Sequence, residues 1–139
     1  MKYLTQEQVV NLNKVITAKT GGFSGKVRDN MSFWTAYFSP YAGAFNEEIY
    51  KSDIEKIARA CYSFITNHPF TDGNKRIGIH IMLVLLKINN YNVKFETDEL
   101  VNIGMSVAQN KMKTEDIVTI LRNKIWYLTI LVSYDIIDL

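Results

Sequence analysis

Apolar side chains recur at intervals of three and four residues along most of the chain, which is the spacing of one face of an α-helix. The first such stretch starts at Thr5, which pairs with Gln8 in the pattern of a capping box. Its apolar positions are Val9, Leu12 and Ile16. The pattern predicts a first helix that ends before Gly21.

Two more helices are predicted before residue 68. Asp29 is a candidate cap for a short helix over 30–37. Ser52 and Glu55 form a second capping box, and the apolar stripe behind them predicts a helix that stops at Asn67. Cys61 lies in that stripe and is expected to be a small core residue, since a lone cysteine has no internal disulfide partner.

The stretch "IGIHIMLVLLKI" is apolar on nearly every side, which is typical of a buried helix at the centre of a bundle. A strand over 81–88 is the alternative, but length and the Met, Leu and Lys content favour a helix starting near Asn74. His80, within this stretch, is expected to be a satisfied core or boundary histidine rather than a second base.

The rest of the chain continues the helical pattern. "YNVKF" (91–95) alternates and predicts a short extended piece, and capped helices are expected from Thr97 and from Thr114. The tail 125–139 is unusually apolar and β-branched. We favour a tail that packs on the core or continues the last helix, and the alternative is a partner-binding or dimer-forming strand. The fold class is therefore all-α, a bundle of about five to six helices.

Composition narrows the function classes. The 139 residues fit one domain, and a formal charge of only +2 gives no electrostatic case for a nucleic-acid ligand or a membrane surface. No apolar run reaches the roughly eighteen residues of a membrane span. We expect a cytoplasmic protein. The segment 21–48 is rich in glycine and aromatics, which predicts an ordered loop region that partly lies against a partner.

The candidate catalytic and binding residues are concentrated in "NHPFTDGNKRIG" (67–78), between the two best-defined helices. A helix that starts near Asn74 offers unpaired N–H groups to an anion, and Gly73 allows a close approach. Lys75 and Arg76 add positive charge. Asp72 would be repelled by a bound phosphate unless Mg²⁺ bridged the two, and a metal–nucleotide complex follows as a hypothesis.

His68 completes the group, because an imidazole near neutrality can take a proton from an attacking hydroxyl. The plainer interpretation is that this stretch is an ordinary turn, in which Asp72 is a cap, Phe70 a core anchor and Arg76 a solvated charge. That interpretation does not explain why a base, a metal ligand and two cations occur within nine positions.

The nine residues "HPFTDGNKR" are similar to the signature of the Fic/Doc family, His-Pro-Phe-x-(Asp/Glu)-Gly-Asn-(Gly/Lys)-Arg. Together with "GGFSGKVRD" (21–29), the chain resembles the small Doc, or death-on-curing, toxins over about residues 3–124. The resemblance implies a catalytic domain over 1–124, a tail over 125–139, and a motif loop leading into a buried central helix.

The resemblance also implies a role for each motif residue. His68 would be the general base, Asp72 the Mg²⁺ ligand, and Gly73, Asn74 and Arg76 the anion hole for the phosphates of ATP. Lys75 is the residue of Doc-like kinases, which present the γ-phosphate, whereas most Fic adenylyltransferases have Gly there and transfer AMP.

Other features bear on the reaction and its partners. Ile79 replaces a second arginine of the longer Fic pattern, which argues against AMP transfer, while Pro69 and Gly73 are closer to the Fic form. A flap that aligns the target by strand addition is expected within 36–47. No Glu precedes Gly or Asn, so the self-inhibiting motif is absent and a separate antitoxin is implied.

The sequence thus predicts a toxin that phosphorylates a Ser or Thr hydroxyl of a host protein, with elongation factor Tu as the first target to test. AMP transfer is the alternative within the same chemistry. A non-catalytic helical module that binds an antitoxin or nucleic acid is the alternative from another class.

Overall fold

Helices account for most of the computed structural model, which describes residues 1–19 and 26–137, with side chains up to residue 126. Part of the "GGFSGKVRD" stretch and the side chains of most of the 125–139 tail therefore lie outside the described residues. In chain order the elements are α1 (Gln6–Lys19), α2 (Asn30–Phe38), a 3-10 turn (Ser39–Tyr41), β1 (Gly43–Ala44), β2 (Glu47–Glu48), α3 (Asp53–Thr66), α4 (Asn74–Ile88), α5 (Thr97–Ala108) and α6 (Thr114–Ile137). The all-α prediction is confirmed.

The first helices begin at the caps that the sequence indicates. The backbone N–H of Thr5 donates to Oε1 of Gln8 at 2.9 Å, and the N–H of Gln8 donates back to the Thr5 hydroxyl at 3.2 Å. The Asp29 carboxylate accepts from the first-turn N–H groups of α2, and the Ser52 hydroxyl accepts from the N–H of Glu55 at 3.1 Å. Each cap satisfies N–H groups that have no partner within the helix.

The last two helices begin at the residues that the sequence indicates, Thr97 and Thr114. The cap of α5 is Glu96, whose backbone N–H donates to the Glu99 carboxylate at 3.0 Å. Before α6, the N–H of Lys113 donates to Asp116 at 2.8 Å. Residues 91–95 form no strand, although Tyr91, Val93 and Phe95 pack against the core.

The core lies between α3 and α4. A Cβ built on Gly78 of α4 would lie 2.6 Å from Cγ1 of Ile65 and 2.9 Å from the carbonyl oxygen of Cys61, so the two helices approach closely at this glycine. Cys61 is fully buried, and burial raises its thiol pKa to about 12. The cysteine is a core residue, as predicted.

Burial is more complete on α3 than on α4. Helix α3 contacts α2, α4, α5, α6 and the 3-10 turn, whereas α4 packs on α1, α3 and α5 and exposes Lys75, His80 and Lys87. The apolar stretch of α4 is buried at Ile77, Ile81, Met82 and Leu85. His80 lies on the exposed side of α4, so of the two places expected for it, the core or its boundary, the core is wrong.

A small hairpin occupies the segment where a flap is expected. β1 pairs antiparallel with β2, joined by Phe45 and Asn46, which both have positive φ (53° and 65°). Two left-handed residues are the turn that matches the twist of a two-stranded hairpin. Phe45 is fully exposed at its tip, while Phe33 and Ala36 of α2 are buried. The described part of the aromatic segment therefore has one portion in the core and one portion at the surface.

The final helix is longer than the sequence pattern indicates. α6 runs without interruption to Ile137 and crosses the predicted boundary between 124 and 125. The strand alternative for the tail is wrong over 125–137, and the prediction that the tail continues the last helix is confirmed for its backbone. Within the described part of the chain, no helix has the length and apolar content to span a membrane.

Candidate functional site

The motif loop connects the C-terminus of α3 to the N-terminus of α4. Asn67 caps α3, its backbone N–H donating to the Ser63 carbonyl at 2.9 Å, and Gly73 precedes α4 with φ of 80°. Phe70, between them, is 1% exposed and meets the Phe33 ring edge-on at 5.9 Å. The phenylalanine is the core anchor that the sequence predicts, and it fixes the loop to the bundle.

Gly73 occupies a position that other residues would not fit. Its φ is in the left-handed region, and an added Cβ would lie 3.1 Å from Cγ2 of Thr17 and 3.2 Å from Nδ2 of Asn13. The backbone there lies directly against α1 and turns into the first, unpaired N–H groups of α4. This geometry provides the backbone approach and the helix N-terminus that an anion site needs.

The Asn74 side chain holds the loop together. Its Oδ1 accepts from the N–H of Phe70 at 3.0 Å, and its Nδ2 donates to the carbonyl oxygen of Phe70 at 2.9 Å. The amide oxygen and one amide hydrogen are thus already used. What Asn74 offers to an anion is its backbone N–H and the second amide hydrogen.

Asp72 is half-buried beside Arg76. Its Oδ1 accepts from the N–H of Gly73 at 2.7 Å and lies 3.4 Å from Nη2 of Arg76, one helical turn later. The guanidinium therefore partly neutralises the carboxylate at the mouth of the helix. In the described part of the chain no cluster of three or more His, Cys, Asp or Glu forms a ready metal cage. A cation at Asp72 would need ligands from water and substrate.

His68 is exposed at the other end of the loop. Its backbone has φ of 47°. This left-handed conformation is higher in free energy than the common regions for any residue that carries a side chain. Within the described residues the imidazole has no hydrogen bond, whereas the carbonyl oxygen accepts from Nε of Arg28 at 2.7 Å. The ring is thus open to solvent and its backbone is held.

Lys75 points toward α5 rather than over Asp72. Its Nζ lies 3.9 Å from Sδ of Met105. Lys75 and Arg76 border an open groove of about 290 Å³ between α4 and α5, whose other walls are mostly apolar: Ile79, His80, Thr97, Leu100, Val101, Gly104 and Met105. The groove continues directly from the N-terminal end of α4.

His80 lines this groove, at the boundary of the bundle rather than in its core. Partial burial lowers the pKa of its imidazole, and the positive charge of Lys19 on α1 lowers it further. Both effects disfavour the charged form. His80 is thus a polar group in a mostly apolar wall of the groove.

Two residues that the sequence did not single out hold the motif loop. Asn13 of α1 is fully buried and donates through Nδ2 to the carbonyl oxygen of Asp72 at 3.2 Å. Arg28 contacts the backbone of Asn67 and His68. A polar Asn13 on the apolar face of α1, between Val9 and Ile16, was the available signal. Arg28 lies in the "GGFSGKVRD" stretch that carries the resemblance, but no local pattern related it to the motif loop, because its backbone partners there lie 39 and 40 residues away.

The chain is similar to a known protein family. The model of the Fic/DOC family matches residues 3–86, which include the whole motif loop and most of α4. No curated protein matches. Enzymes of the family transfer nucleotide-derived groups to proteins, and some are toxins. Since the match covers more than half of the 139 residues, the chain belongs to the Fic/DOC family.

Proposed function

We propose that this protein is a Doc-like toxin that transfers the γ-phosphoryl group of ATP to a Ser or Thr hydroxyl of a host protein. One observation carries the proposal: a single loop presents His68 at one end and Asp72 beside a helix N-terminus at the other.

The anion site would be formed by Gly73, Asn74 and Arg76. The glycine backbone and the first N–H groups of α4 carry partial positive charge, and Arg76 adds a full one. This arrangement supports a nucleotide phosphate as the ligand, because its oxygens accept several N–H groups at once. Lys75 is on a flexible side chain and could turn from Met105 toward the same phosphates.

Asp72 would hold Mg²⁺ together with phosphate oxygens and water. A single carboxylate suits this ion, which prefers oxygen ligands and keeps several waters. When bound, Mg²⁺ would neutralise charge on the phosphates. The contact of Asp72 with Arg76 supports the assignment, since this carboxylate already faces the proposed anion site.

His68 would act as the general base. The target hydroxyl gives its proton to the imidazole while its oxygen forms a bond to the γ-phosphorus, and the bond from that phosphorus to the β–γ bridging oxygen breaks, so that ADP leaves with the electron pair. Exposure of His68 on the loop supports this role, because a protein substrate has to reach the ring.

AMP transfer is the second candidate, and the groove between α4 and α5 favours it. An adenosine lying on the apolar wall formed by Leu100 and Met105 would bring its α-phosphate next to Arg76. Lys75 and Ile79 favour the kinase instead, as Lys75 adds a charge near the phosphates and Ile79 provides no second guanidinium. We therefore keep phosphoryl transfer as the main proposal.

The proposal also includes a protein target, an antitoxin partner and a cellular compartment. The hairpin β1–β2 would align an extended segment of the target by strand addition, and elongation factor Tu is the first target to test. A separate antitoxin protein would restrain the toxin. We expect the reaction in the cytoplasm, where ATP and this target are available.

The test is expression in a bacterial host followed by mass spectrometry of host proteins. We expect growth arrest and a target that gains the mass of one phosphoryl group, both absent with His68→Ala. A gain of the mass of AMP would select the second candidate. Equal toxicity of His68→Ala and the unaltered protein would refute both enzymatic proposals and favour a binding module.

A further inference from the structure

The conformation of His68 needs an external restraint. A residue with a side chain at φ of 47° costs free energy relative to the common regions, so it persists only when surrounding contacts hold it. The imidazole itself has no hydrogen bond within the described residues. The restraint must therefore act on the backbone.

The guanidinium of Arg28 makes the contacts that could supply this restraint. Its Nε donates to the carbonyl oxygen of His68 at 2.7 Å, and its Nη2 lies 3.4 Å from the carbonyl oxygen of Asn67. Nη2 also donates to the Ser32 hydroxyl at 2.9 Å, and Asp29 accepts from that hydroxyl. Arg28 therefore connects the start of α2 to the end of α3, where carbonyl groups lack helical partners.

The backbone beside Arg28 is paired with the same loop. The N–H of Arg28 donates to the carbonyl oxygen of Pro69 at 2.8 Å, and the N–H of Thr71 donates to that of Lys26 at 3.1 Å. These bonds flank an antiparallel bridge between Val27 and Phe70. The bridge fixes the position of the Arg28 backbone. The planar guanidinium of Arg28 therefore reaches the His68 carbonyl oxygen in one geometry.

We propose that Arg28 is a positioning residue that sets the direction of the His68 imidazole by holding the His68 backbone in its left-handed conformation. The inference rests on the proposed function, in which His68 takes the proton of the target hydroxyl. Among the described residues Arg28 makes no hydrogen bond or ion pair with Asp72 or with the N-terminus of α4, so its direct effect is on the base and not on the nucleotide site.

The kinetic test compares Arg28→Ala with Lys26→Ala. Both changes remove one positive charge beside the loop, but the Lys26 side chain makes no hydrogen bond with described residues, and its backbone carbonyl is kept. We expect kcat for transfer to fall on the order of 10²-fold in Arg28→Ala, with the KM for ATP unchanged and Lys26→Ala close to the unaltered protein. Arg28→Lys, which keeps one donor, should recover part of the loss.

The structural test measures φ of residue 68 by NMR, from the three-bond coupling between its amide hydrogen and Hα together with the NOE between the same two hydrogens, which lie closest at positive φ. We expect φ to leave the left-handed region in Arg28→Ala and to keep it in Lys26→Ala. This measurement needs no activity, so it decides the proposal even if the unaltered protein transfers no group, which would refute the proposed function alone. An unchanged φ, an unchanged kcat, or equal losses in the two variants would overturn the role of Arg28.

Discussion

Because α3 and α4 approach closely at Gly78, we expect Gly78→Ala to destabilise the protein. Gly104→Ala is the matched control. Both glycines lie inside helices, so alanine gains about 1 kcal/mol of helix propensity at either site. At Gly104 the new Cβ would lie 3.7 Å from Cγ1 of Ile79, an ordinary contact. Gly104→Ala should therefore stabilise the protein by about 0.5–1 kcal/mol.

At Gly78 the same methyl group has no room. Its Cβ would lie 2.9 Å from the backbone oxygen of Cys61, which cannot rotate away as a side chain can, and 2.6 Å from Cγ1 of Ile65. Overpacking of this kind costs about 1–3 kcal/mol. Because the propensity gain is common to both variants, their free energies of unfolding should differ by about 1–3 kcal/mol.

The assay is urea unfolding followed by circular dichroism, with the three proteins compared at one temperature. We expect the order of stability Gly104→Ala, unaltered protein, Gly78→Ala. The same comparison tests how the motif loop is placed, since α3 and α4 carry its two ends. If Gly78→Ala were as stable as Gly104→Ala, the close packing of the two helices would be refuted.

Three further predictions concern single side chains. Asp72→Asn should abolish the Mg²⁺-dependent part of ATP binding, measured by calorimetry with Mg²⁺ and with EDTA; equal Mg²⁺ dependence in both proteins would contradict the assignment. The Cys61 thiol, buried and with a pKa of about 12, should react with a thiol reagent only as fast as the protein unfolds, and rapid labelling of the native state would contradict its burial. Lys56 is 5% exposed, and its ammonium donates to the carbonyl oxygen of Tyr50 and to Glu48. Lys56→Met should therefore lower the free energy of unfolding, measured in urea, by about 1–3 kcal/mol. An unchanged free energy of unfolding would show that these two contacts are unimportant.

Local patterns predicted the helices well because capping is a local interaction. Thr5 with Gln8, Asp29 with α2, and Ser52 with Glu55 each act over two or three residues, and all are found in the structure. The start of α5 was placed correctly at Thr97, but Glu96 was not identified as its cap, since a glutamate is a weaker cap signal.

Tertiary contacts could be predicted less well from the sequence than the helices. The apolar run of α4 gave no indication of which positions would face water, so His80 was expected at the core or its boundary although it lines an open groove. The motif residues were identified because they are adjacent in sequence. Asn13 and Arg28 were not, because they reach the loop from 59 and 40 residues away, and no periodicity encodes such a contact.

The most direct test of the account is a crystal structure of His68→Ala with Mg²⁺ and ATP, because this variant should bind the nucleotide without turning it over. We predict phosphate oxygens within hydrogen-bonding distance of the Gly73 and Asn74 backbone N–H groups and of Arg76, Mg²⁺ on Asp72, and the γ-phosphorus as the phosphorus nearest residue 68. A nucleotide whose phosphates lie away from the N-terminus of α4, or a metal with no contact to Asp72, would contradict the central claim.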